Sequence, residues 1–397
     1  MIKTLKKIWN FEFSSESFLV KLMIPLTILL GAGYVALEVL LGQHPEANQV
    51  SVFHSESISN AINKSSGSNE WFVHHFAEIW IAVAVLCFVV RFAVIVHSFF
   101  ESKKVFGEKR FSRYFLNYSM SFILSLFFGL FVLMVLAFVL KLFGVENSVN
   151  VFQWFALKMK AFFTNNIPNI IEIKSYWLAL TLSIFLVSLP DHFFHWFSHK
   201  SRFLWYVFHR PHHCPEILHP MAAPPAYVFD FFVIIPYVFV GSIISSLIYT
   251  ESLVLELSLW FMLGYFMEIF NHSSVHYNFA LKNPIVRNLS RIFGGKGVYH
   301  LVHHSAYEQD QEVNFSAAPF SFWDRVFGTY RKPYDSIPDL GLTHQPAIKL
   351  SPFRIIFSGV FQLGYEFFHN KGFATKWKII FGSIHYQAPV SKDYLKV

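Results

Sequence analysis

Charged residues are scarce in this chain. They make up 14% of its 397 residues, against about a quarter in an ordinary soluble domain, so a surface drawn from them is too apolar to face water all round. Cysteine is scarcer still. Cys87 and Cys214 are the two present, which excludes a disulfide framework and any CxxC zinc pattern. Cys87 sits inside an apolar run and reads as a small buried hydrophobe. Other signatures are missing too. The absence of HExxH excludes a zinc protease of that pattern. No Glu-x-x-His pair lies along the apolar runs, which excludes a carboxylate-bridged bundle of the ferritin type. No GxSxG and no glycine-rich phosphate loop occur, and there are no repeats or low-complexity tracts.

What is abundant is apolar. Hydrophobic residues reach 54%, with 49 Phe, and lipid is the solvent that suits them. Crossing a bilayer takes about 20 mostly apolar residues. Five runs qualify, at 19–41, 76–99, 119–143, 227–249 and 253–270, and a shorter sixth at 175–190 extends as helix toward His199. The lysine-bearing start, followed by a run of spanning length, predicts a retained anchor and not a cleaved signal. The fold expected is an all-α integral membrane protein of about six transmembrane helices.

Orientation follows from Lys and Arg in the short loops. Lys3, Lys6, Lys7 and Lys21 flank the first run, and Lys103, Lys104, Lys109, Arg110 and Arg113 fill the second loop. The loop between them has Lys64 against Glu46, Glu56 and Glu70. The N-terminus and the second loop are therefore expected inside, and the 144–175 loop outside, with 152–163 along the interface. The net charge of +7 sits in short loops between apolar runs. That pattern suits anionic lipid and not nucleic acid.

The chain has 20 histidines, and 12 of them lie from His192 to His304. They fall in four clusters: His192, His195 and His199 after Asp191; His209, His212 and His213, then His219; His272 and His276; and His300, His303 and His304. The Lys/Arg topology puts all four on the cytosolic side. On a helix, residues four apart share a face, so His195/His199 and His272/His276 can each present two imidazoles to one ion. Each HxxHH run can serve two ions, or bridge from one to a neighbour, since the adjacent histidine points about 100° further round. Imidazole suits Zn, Cu, Fe and Ni, and spacing does not choose among them. Carboxylates are few here, so Asp191 is expected behind the ligands, orienting ring N–H groups. His44, His54, His74, His75, His97, His344, His369 and His385 stand alone and read as interfacial or hydrogen-bonded residues. A membrane metal transporter would instead place ligands at mid-bilayer, and a bis-histidine haem protein would pair histidines across facing helices.

These residues resemble the fatty acid hydroxylase/sterol desaturase superfamily. The segment from Tyr299 to Tyr330 carries the likeness: His300-Leu-Val-His303-His304-Ser305, then Asn314-Phe315, then Trp323-Asp324-Arg325-Val326-Phe327-Gly328-Thr329-Tyr330. Upstream, Trp205-Tyr-Val-Phe-His209-Arg-Pro-His212-His213 is similar to the family's W-x-x-F-H-x-x-HH segment, and His272-Ser-Ser-Val-His276 to its HxxxH. Trp196 stands where the family commonly has Arg, Gly294-Gly295-Lys296-Gly297 where it often has Thr-Pro, and His192 is an extra rival to His195.

The resemblance implies a dinuclear iron site, with zinc as a replacement in a purified sample, and O2 as co-substrate. The implied ligands are His195, His199, His209, His212, His213, His272, His276, His300, His303 and His304, with His192 and His219 as extras. Asn314 and Asp324 join Asp191 as supporting candidates. The activity implied is hydroxylation of an unactivated C–H bond in a membrane lipid, with desaturation as the alternative outcome. Electrons would come in trans from a cytochrome b5-like protein, a ferredoxin or a reductase. The domains expected are an N-terminal membrane region (1–174), a hydroxylase-like catalytic domain (175–330) and a cytosolic tail (331–397).

Overall fold

A computed structural model describes residues 7–12, 70–142, 171–220, 247–248, 260–267, 272–293, 297–342 and 351–394, apart from individual positions within these stretches. Among the described residues every regular element is helical, and pairing is limited to isolated bridges at Ser201/Ser383 and Ser305/Leu340. The runs expected at 19–41, 227–249 and 253–270 lie wholly or largely outside the described residues, as do the 152–163 helix, His44, His54 and His344.

The run at 76–99, and that at 119–143 as far as Leu142, fall in two long helices, α1 (Glu70–Phe106) and α2 (Glu108–Leu142). Gly107 joins them at φ 84°, a left-handed conformation that glycine adopts at no steric cost and that ends a helix. α3 (Tyr176–Ser198) follows, with Pro190 inside it. Among the described residues α3 is the one helix long and apolar enough to cross a membrane.

Its end feeds a compact turn: α4 (Arg202–Leu204), a π-helical turn (Trp205–His209) and α5 (Arg210–His213). π turns carry one extra residue and are frequent at functional sites. Here the turn sits among three histidines, and two buried arginines flank it. Arg202 forms an ion pair with Glu366, with both side chains almost fully buried, and its Nε donates to the Ile379 carbonyl at 3.1 Å. Arg210 donates to Gln362 Oε1 at 3.1 Å and Ser358 Oγ at 3.0 Å. Those acceptors lie on α10 (Pro352–His369), which runs on to α11 (Phe373–Phe381). A Cβ on Gly359 would lie 1.8 Å from the Tyr206 carbonyl oxygen, so glycine is what lets α10 approach the π turn. The segment expected to be a tail is thus folded against the turn that carries His209, His212 and His213.

Between these lie α6 (Ser274–Lys282), α7 (Pro284–Ile292), α8 (Val298–His303) and α9 (Phe322–Val326). Two apolar cores frame the histidines. One joins Tyr277 and Ala280 of α6 to Val298, Tyr299 and Leu301 of α8. The other joins Phe99 of α1 and Phe111, Tyr114 and Phe115 of α2 to Cys214, Ile217 and Ile355. Burial in the second core pushes the Cys214 thiol up to about 12, so it behaves as a small hydrophobe.

Candidate metal centre

The histidines gather into two nests. His195, His199, His209, His213 and His303 form the first; His212, His272, His300 and His304 form the second. Within each nest one ring nitrogen per histidine lies within 4.8 Å of all the others. Most of these side chains are buried.

Each HxxHH run serves both nests, and the division follows helical geometry. His209 and His213, four apart, go to the first nest with their Nε2 atoms 3.0 Å apart. His300 and His304, also four apart, go to the second with Nε2 atoms 3.1 Å apart. The residue three along crosses over: His212 to the second nest and His303 to the first. The His213 and His304 rings stack at 4.5 Å where the nests adjoin.

Tautomers in the first nest are fixed by main-chain acceptors. His303 Nδ1 donates to the Val313 carbonyl at 2.7 Å, and His195 Nδ1 donates to the Phe315 carbonyl at 2.9 Å. A carbonyl can only accept, so the proton of each neutral imidazole is on Nδ1. Their Nε2 atoms then face each other at 3.0 Å with lone pairs only, and His199 Nε2 lies 3.1 Å from the same His303 nitrogen. Protonation would relieve this, but burial works against it. Desolvation, with neighbouring imidazoles, holds His209, His213, His300 and His304 well below the ordinary histidine range, and desolvation holds His303 down to about 3. Converging lone pairs on neutral imidazoles in a dry pocket are what a cation between them resolves. The donor set fits a transition metal.

The two carbonyls are aimed by a loop that the Trp323–Tyr330 segment builds. Asp324, fully buried, accepts from the Phe315 and Ser316 N–H groups at 2.9 and 3.0 Å and from Thr329 Oγ1 at 2.7 Å. Burial pushes its carboxyl up to about 6, against the three donors that favour the carboxylate. Asn314 sits between the two carbonyl residues at φ 55°, a left-handed conformation that Asn tolerates better than most. Its side chain donates to the Tyr299 and Arg331 carbonyls and accepts from the Arg331 N–H. Trp323 docks the segment on α3 through the Phe185 carbonyl and Ser188 Oγ, both at 3.0 Å.

Other predicted residues lie elsewhere. His276 is outside both nests: its Nε2 meets His97 Nδ1 at 2.9 Å, and its Nδ1 meets Ser273 Oγ at 2.6 Å. α6 begins at Ser274, so His272 precedes the helix, and the four-residue spacing to His276 does not put them on one face. His192 stacks on Phe327 at 5.1 Å, with Nδ1 3.6 Å from Asp324 Oδ1, while His195 is the residue of α3 that reaches the nest beside His199. His219 is buried among the rings of Phe99, Phe111 and Phe115. Asp191 is near enough for its charge to raise the Asp324 carboxyl. The orienting acceptors for His195 and His303 are the backbone carbonyls already named. His369 stacks on Tyr365 and His385 is exposed.

Residues 180–329, which include every nest histidine, match the fatty acid hydroxylase family. The matched segment is more than a third of the chain, and its likeness is to the fatty acid hydroxylase/sterol desaturase superfamily. A sphingolipid C4-hydroxylase of Schizosaccharomyces pombe is 22% identical over 193 residues, which is 46% of this chain and 61% of that protein. The chain thus spans about three fifths of that relative's length. No solved structure matches it. Within the matched segment, the loop carbonyls of Val313 and Phe315 are acceptors that no residue type in the sequence announces.

Proposed function

We propose that the chain is an integral-membrane, non-haem di-iron oxygenase that uses O2 to hydroxylate an unactivated C–H bond of a lipid. The facing Nε2 lone pairs of His195, His199 and His303 carry the reading, and the hydroxylase relative favours oxygen insertion over desaturation. His195, His199, His209, His213 and His303 would hold one iron, and His212, His272, His300 and His304 the other. Bound, the two irons supply the activation of O2 and the oxidation of the C–H bond.

The chain's own groups do the rest. The Val313 and Phe315 carbonyls keep protons on Nδ1 of His303 and His195 and leave Nε2 free to bind. Asp324 and Asn314 hold that loop in place. The buried cores keep water from the imidazoles. About six spans would carry the chain through the bilayer. The site would lie at the cytosolic end of α3, so that the apolar body of a lipid stays in hydrocarbon while an electron donor reaches the site from the cytosol in trans.

The test is metal analysis of the full chain purified in detergent, with lipid profiling of a host with and without the gene. Iron near two per chain, and a product heavier by one oxygen that vanishes with His303→Ala and His304→Ala, are expected. Loss of two hydrogens would mean a desaturase, and an active, well-folded sample with iron far below two per chain would sink the di-iron assignment.

A further inference from the structure

Helix α11 turns its most apolar face outward. Phe373, Trp377 and Phe381 recur every four residues and are 82%, 55% and 57% exposed. Their rings follow one another at 6.1 and 4.5 Å. At about 100° per residue they cover an arc of about 80°, and Ile379, wholly buried with Leu363 and Ala388, lies roughly opposite. Lys376 and Lys378 fall on the two flanks of the arc, and Lys371 precedes the helix. Phe368, in the last turn of α10, is exposed as well. A single exposed aromatic needs no explanation, but a row of them backed by a packed core marks a contact surface.

Its place in the fold says what covers it. The end of α11 is tied to the chain just past α3: the Arg202 N–H donates to the Gly382 carbonyl at 2.9 Å, and Ser201 pairs with Ser383. Phe197, on the last turn of α3, and Phe203 are exposed as well. Exposed apolar surface therefore continues from the candidate span's cytosolic end onto α11. Amphipathic helices with aromatics on one face and lysines at its edges lie about 5–10 Å into the headgroup–acyl boundary, where tyrosine and tryptophan rings concentrate and lysines meet anionic headgroups.

We propose that α11 is an interfacial helix whose Phe373/Trp377/Phe381 row inserts into the cytosolic leaflet while Lys371, Lys376 and Lys378 contact anionic lipid. This rests on the reading of α3 as a span. It would also fix the height of the metal centre at the membrane, because α10 and α11 grip the π turn through Arg202 and Arg210.

Spin labels placed by Phe373→Cys, Phe381→Cys, Lys371→Cys and Thr181→Cys test it in the full chain, reconstituted in phosphatidylcholine bilayers with and without phosphatidylserine. The unsubstituted chain is labelled in parallel as background. Collision rates with O2, which partitions into hydrocarbon, and with a water-soluble nickel chelate report depth. Labels at 373 and 381 should favour O2 over the chelate several-fold more than the label at 371, and should move outward when phosphatidylserine is omitted. Chelate access at 373 and 381 equal to that at 371, with the Thr181 site still lipid-exposed, would overturn the inference and leave the span standing. Chelate access at Thr181 would instead remove the membrane reading beneath it. Exclusion of both reagents at 373 and 381, with spin–spin broadening, would mean that a second copy covers the face and would likewise overturn the inference.

Discussion

The two histidine nests share a residue type and draw on the same two HxxHH runs, yet they differ in what stands behind the rings. In the first, His195 and His303 are locked by the Phe315 and Val313 carbonyls. In the second, His304 Nδ1 is buried with no hydrogen-bond partner among the described residues. The first nest thus has two rings pinned by main-chain acceptors before any ion could bind, whereas the His304 ring of the second has no such acceptor. Orienting partners of metal-bound histidines are typically worth about 10–100-fold in affinity or activity, so the nests should lose metal unequally.

The largest effect is expected at the hinge of the comparison. His303 meets both His195 and His199 nitrogens in the first nest and is tied to Val313. His303→Ala should abolish product formation, a loss beyond the about 100-fold of an orienting partner, and bound iron should fall toward one per chain. Retention of both ions would break the division into nests. Asp324→Asn should come next. It keeps the shape but weakens the acceptor for two N–H groups and Thr329, loosening the loop whose carbonyls serve only the first nest. A loss of about 10–100-fold in metal affinity there, with the second nest's affinity unchanged in a titration, is the expected reading.

Metal removal sharpens the same contrast. Graded chelation should strip the second nest before the first, giving two phases in iron release. The emptied protein should then be acid-sensitive. Its buried histidines titrate below the ordinary value, His303 at about 3, so as pH falls the unfolded chain takes up protons first. Stability of the metal-free fold is full above about pH 6.5 and is lost as pH drops through that value toward the folded ones. Its melting temperature should be lower at pH 5.5 than at pH 7.5, and a flat profile would argue that the nests open to water when empty.

How much of this was legible beforehand depends on where the information lay. His195 and His199 could be paired from spacing because one continuous helix carries both. The HxxHH runs could be read as serving two ions, since a helix sends adjacent residues in different directions. Which pair stays together was not readable, because the choice between three and four residues depends on where the partner segments pack. The carbonyls of Val313 and Phe315 have no residue type to betray them; Asn314, apt for a left-handed backbone, was the available hint. Arg202 finds Glu366 across 164 residues, a pairing that no local pattern announces. Only the helical character of the 76–99, 119–143 and 175–190 runs was directly visible in composition.

The smallest expected effect discriminates most finely between spacing and structure. The His272/His276 spacing matches a two-ligand helical face, but α6 starts at Ser274 and leaves His276 with His97 and Ser273. His272 is the one that meets His212, His300 and His304. His272→Ala should therefore cost the second nest its ion. His276→Ala should keep iron near two per chain and change turnover by no more than a few-fold, since it removes hydrogen bonds of about 1 kcal/mol each to His97 and Ser273 and no nest nitrogen. Equal iron loss in both variants would mean that His276 swings into the nest when metal binds, and the contrast between the two histidines would then describe the empty protein alone.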